Sequence, residues 1–67
     1  MNKIKIPAEE LLNFGGIEYC LAKKNLTTLQ DCDVTLTGKP GALEMLLLGN
    51  YLYRNKITLS RLNISGG

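Results

Sequence analysis

Sixty-seven residues, 45% of them apolar and 21% charged, make one folded domain over 1–67, since disordered chains are poorer in apolar side chains. The net charge is +2 and no run of like charge exceeds two residues, which argues against a polycationic nucleic-acid binder. No stretch is apolar enough for a signal peptide or a membrane span, so a soluble, cytoplasmic protein is expected.

In chain order, Lys3-Ile4-Lys5-Ile6 alternates as a strand does, with Ile4 and Ile6 inward. Pro7 suits a first helical residue and Glu9 and Glu10 a first turn, so a helix is expected from Pro7 through Leu11, Leu12 and Phe14, stopped by Gly15-Gly16. Ile17 to Ala22 then reads as a strand with Ile17, Tyr19 and Leu21 on one face, and the competing reading carries helix on to Lys24.

Asp31 to Thr37 alternates cleanly, placing Cys32, Val34 and Leu36 inside. Gly38-Lys39-Pro40-Gly41 breaks this strand and opens a second helix, Ala42 to Asn55. A β-like run, Ile57 to Ser65, changes phase midway, which a bulge near Ser60-Arg61 or burial on both faces would explain. Ala8-x-Glu10-x-Leu12-x-Phe14-Gly15 is echoed by Ala42-x-Glu44-x-Leu46-x-Leu48-Gly49, and Thr28-Leu29 by Thr58-Leu59. The echo favours two helix-then-strand halves. A small α+β fold follows, βαββαβ (ferredoxin-like) with two helices on one face, with a three-stranded βαβαβ sheet as the alternative. The spacing of Lys3 and Lys5 with Asp31 and Asp33 places the first strand beside the Asp31 to Thr37 strand through cross-strand charge pairs.

At 100° per residue, the second helix carries two apolar groups. Ala42, Met45, Leu46, Leu48, Gly49, Leu52 and Tyr53 form a broad core face, while Leu43, Leu47 and Tyr51 form a second stripe near Asn50 and Arg54. A stripe bordered by polar groups is the pattern of a partner-binding helix. A domain this small rarely draws more than about 3 to 5 kcal/mol from its own core. The expected function is therefore a non-catalytic protein-binding or regulatory module, such as an inhibitor, adaptor or small subunit, self-associating as a homodimer through that helix.

The alternative is a small-ligand or anion sensor at Thr37, Gly38, Lys39 and Gly41, where a turn presents backbone N–H groups, a hydroxyl and an ammonium before a helix. The stretch Val34 to Leu43 resembles the strand, Pro-Gly-x-Leu turn and helix of amino-acid-binding ACT domains, which implies a ligand at the turn; in that family the motif opens the domain, whereas here some thirty residues precede it. The terminal Gly66-Gly67 resembles the end of sulfur-carrier and ubiquitin-like proteins, which implies a third reading, chemistry at the terminal carboxylate.

No catalytic residue, metal ligand set or cofactor is expected. The chain has no histidine, so Ser-His-Asp catalysis is excluded and Cys20 has no imidazole to activate it. Asp31 and Asp33 read as ion-pair partners and not as a metal pair. Cys20 and Cys32 are expected as buried free thiols. The polar sheet face of Lys3, Lys5, Asp31, Asp33 and Thr35 lacks the stacking aromatics of an RNA platform.

Overall fold

The structure is a computed structural model that describes residues 2–65. Three strands, β1 (Lys3–Pro7), β2 (Asp33–Thr37) and β3 (Arg61–Ile64), form a sheet in the order β1-β2-β3, parallel throughout. A 3-10 helix, Ala8–Leu12, and helix α1, Gly16–Lys23, connect the first two strands, and α2, Ala42–Arg54, connects the second pair. The four-stranded ferredoxin-like expectation is thus corrected to a three-stranded βαβαβ order.

The correction turns on residues 17–22. Ile17, Cys20 and Leu21 are buried while Tyr19 is exposed, a spacing of i, i+3, i+4 that belongs to a helix. The same residues also satisfy strand alternation, and only packing against the sheet chooses between the two periods. Gly15-Gly16 starts α1 and does not end a helix before it. Both glycines take positive φ, +91° and +54°, to reverse the chain, and a β-carbon on Gly15 would lie 2.7 Å from that of Tyr19. Pro7 closes β1 in extended conformation, and Phe14 is fully exposed in the link and is not part of a helix.

Both helices end the same way. After α1, Asn25 adopts φ 58° with the Asn25 and Leu26 N–H groups donating to the carbonyls of Ala22 and Leu21. After α2, Lys56 adopts φ 53° with Lys56 and Ile57 donating to Tyr53 and Leu52. This paired closure satisfies the last carbonyls of each helix. The two links that follow touch: the Asp31 N–H donates to the Thr58 carbonyl at 2.9 Å and the Thr58 N–H to Gln30 Oε1 at 3.0 Å. The Thr28-Leu29 and Thr58-Leu59 echo therefore occupies equivalent links, whereas the Ala8 and Ala42 echo equates a 3-10 helix with α2.

The strand register is Ile4↔Val34↔Leu62 and Ile6↔Leu36↔Ile64, which points all six side chains to one side of the sheet. The core forms there, with Ile4, Ile6, Val34 and Leu36 packed with Leu11, Ile17, Cys20, Leu21, Leu29, Cys32 and Leu48. The opposite sheet face carries Lys3, Lys5, Asp33, Thr35, Arg61 and Asn63. Asp31, with φ 61°, lies outside β2, so it is no member of that face. Lys3 does stand beside Asp33, but the Asp33 carboxylate accepts from Asn63 Nδ2 at 3.0 Å. The one ion pair among the described residues is Lys23 with Glu10, at 3.4 Å. Ile57 and Leu59 belong to the helix-to-strand link and pack against the core from there, and the phase changes at Ser60-Arg61, where both N–H groups donate to the Cys32 carbonyl, at 2.8 and 3.3 Å.

Candidate functional site

Helix α2 turns Leu48 fully inward, with Met45, Tyr51 and Leu52 half-buried around it. Leu46 and Tyr53, expected in the core face, are instead 60% and 85% exposed, and Leu43 and Leu47 are exposed as well. The core stripe is therefore narrower than the apolar pattern, because a helix lying on only three strands has too little sheet beneath it to cover both flanks.

Of the expected partner-binding residues, Leu47, Asn50, Tyr51 and Arg54 gather along one groove of about 290 Å³ completed by Glu18 and Asn55. Leu43 lies outside this groove. Tyr51 is turned half inward, so it is not part of the exposed stripe. Burial raises the Tyr51 phenol above its ordinary value and the Glu18 carboxylate adds to the rise, so this hydroxyl stays neutral and available as a donor. A second hollow, lined by Leu11, Gly15, Gly16, Ile17, Glu18, Leu47 and Tyr51, continues toward the start of α1. This flank of α2 therefore faces α1 and the 3-10 helix.

The other flank faces nothing. Leu46, Gly49 and Tyr53 follow at i, i+3 and i+7, on the side of α2 turned away from α1. A β-carbon on Gly49 would find no atom within 4 Å. β3, which follows α2, is an edge of the sheet, and its core-side residues Leu62 and Ile64 are 40% and 50% exposed. The Cys32 carbonyl takes the N–H groups of Ser60 at 2.8 Å and Arg61 at 3.3 Å, and the Ser65 N–H donates to the Leu36 carbonyl, so from Arg61 onward the odd-numbered residues turn toward β2. The backbone N–H and C=O groups of Leu62 and Ile64 consequently point out of the sheet. Leu46, Tyr53, Leu62 and Ile64 are the site residues that periodicity missed. Their apolar character was legible, but no local signal marks β3 as an edge.

The turn at Thr37, Gly38, Lys39 and Gly41 is exposed apart from the half-buried Thr37. Gly38 and Lys39 have φ of 81° and 56°, and Gly41 caps α2 without a side-chain hydrogen bond. The Glu44 carboxylate folds back to within 3.2 Å of where a Gly41 β-carbon would sit. The helix N-terminus thus already faces a carboxylate of its own chain, which would repel a second anion.

Cys20 and Cys32 are buried free thiols, as expected, although Cys20 lies on α1 and not on a strand. Burial, then the Glu10 carboxylate, pushes the Cys20 thiol up, against smaller opposing effects of Lys24 and Lys23, so it is a poor nucleophile. Among the described residues no three metal-ligating side chains come together, and no helix is long and apolar enough to cross a membrane. Gly66 and Gly67 lie outside the described residues. Compared with known proteins, the chain matches no family model, no curated protein and no solved structure.

Proposed function

We propose that this chain is a non-catalytic protein-binding module that docks through the outer surface of α2 and the free edge of β3. The observation that carries this reading is where the exposed apolar side chains fall. Six of the nine large ones, Leu43, Leu46, Leu47, Tyr53, Leu62 and Ile64, belong to these two elements. Single exposed leucines are ordinary, but a concentration on one helix and the strand next to it is the mark of a contact surface. Arg54 and Asn50 border it, supplying the polar rim that such surfaces use for register. Small size suits an inhibitor, adaptor or regulatory subunit, and the two free thiols suit a reducing cytoplasm.

The reading is tested by installing a photoreactive side chain at position 53, and separately at Thr35 on the polar sheet face, in cells that make the protein. A protein adduct from position 53 with none from position 35 is expected. No adduct from position 53, or equal yields from both, would overturn it.

A further inference from the structure

We infer that the partner seated on the β3 edge is a second copy of this chain, paired antiparallel through β3 about a two-fold axis at Asn63; this rests on the binding-module reading above. Directly opposed residues of an antiparallel pair point to the same side. A β3–β3 pair that keeps the apolar side continuous and overlaps the four residues of β3 as fully as it can places its axis at Leu62 or at Asn63. With the axis at Leu62, Ile64 would face Ser60. With the axis at Asn63, each Leu62 faces the other copy's Ile64, and each Arg61 faces a Ser65, so like charges stay apart.

The same register uses the free backbone groups. Leu62 and Ile64 are the residues whose N–H and C=O point outward, and in this pairing they become the hydrogen-bonded pair, giving four N–H···O bonds across the axis. The half-exposed core-side faces of Leu62 and Ile64 of the two copies then join into one apolar face. Head-to-tail stacking of β3 on another copy's β1 is disfavoured. It would continue the register with Lys3 beside Arg61, and β1 guards its edge with Lys3, Lys5 and Pro7, residues that block strand addition.

A stable interface covers about 800 Å² per partner, about one sixth of the 4584 Å² surface. That is the share of one face in a body measuring 24 × 23 × 22 Å.

Two cysteine variants of the full chain test the geometry, with light scattering of the wild type over a concentration series. The axis sets the two Asn63 residues as a non-hydrogen-bonded pair with Cα atoms about 4.5 Å apart, within disulfide range, whereas the two Arg61 residues lie about 13 Å apart. Asn63→Cys should form a disulfide dimer at least about tenfold faster than Arg61→Cys under mild oxidation; the native thiols are buried and do not compete. Leu62→Lys should weaken wild-type dimerisation by about tenfold or more. A wild type that stays monomeric at every concentration, or equal linking by the two cysteine variants, overturns the inference. If that monomer still gives a foreign adduct from position 53, the binding module stands without the second copy; if no adduct forms, both readings fall.

Discussion

The two edges of the sheet carry the same kind of side chain in the same register and differ only in what lies over them. Ile4 and Ile6 on β1 are 6% and 0% exposed, while their counterparts Leu62 and Ile64 on β3 are left half open. On the β1 side, α1 and the 3-10 helix close the core and Lys23 ties them to Glu10. On the β3 side α2 covers inward toward β2 and leaves its outer flank bare. In a stack of strand-and-helix units each apolar face is covered by its neighbours, so a last unit without a polar cap is where a partner gains most from binding.

The largest test of this contrast is a matched pair of truncations. Ile6→Ala should cost about 3 kcal/mol by urea denaturation at low protein concentration, enough to unfold so small a domain, because the cavity is fully enclosed. Ile64→Ala should cost under about 1 kcal/mol in the same dilute sample, since half of that side chain already meets water. Equal losses would mean that β3 is as well covered as β1.

Glycines sharpen the comparison on a smaller scale. Gly15→Ala should destabilise by about 1 to 2 kcal/mol, as the positive φ and the contact with Tyr19 both oppose a β-carbon. Gly49→Ala, in the middle of α2 with open space before it, should stabilise the dilute protein by up to about 1 kcal/mol in thermal melts.

The smallest effect is on pH. Cys20 and Tyr51, both on the covered side, hold their protons more tightly in the fold than in the unfolded chain. Their stabilising contribution is complete below the ordinary thiol and phenol values and is lost as pH rises, beginning near about 8.5 for the thiol and about 10 for the phenol. A urea midpoint that falls with alkaline pH, and falls less in Cys20→Ala, is the expected result.

Much of this was readable in the chain. Ile4 and Ile6 as inward strand residues, the alternation through Val34 and Leu36, the start of α2 at Ala42 and the burial of both cysteines follow from period, propensity and composition, whereas β1 and β2 were placed side by side through charge pairs that do not form. Of the candidate surface, Leu43 and Leu47 were legible as exposed side chains of α2. Tyr51 was misjudged, together with Leu46 and Tyr53, because a helical period reports an apolar arc and not which part of the arc meets the sheet.

The amino-acid sequence by itself determined where β1 and β2 alternate and where α2 begins. Tertiary structure decided what local signals cannot. It settled helix over strand at residues 17–22, where both periods fit and burial against the sheet breaks the tie. It also made β3 an edge, since whether Leu62 and Ile64 lie inside depends on a neighbour beyond them. Parallel pairing joins residues about thirty positions apart, and burial is a property of that assembly and not of any window of sequence.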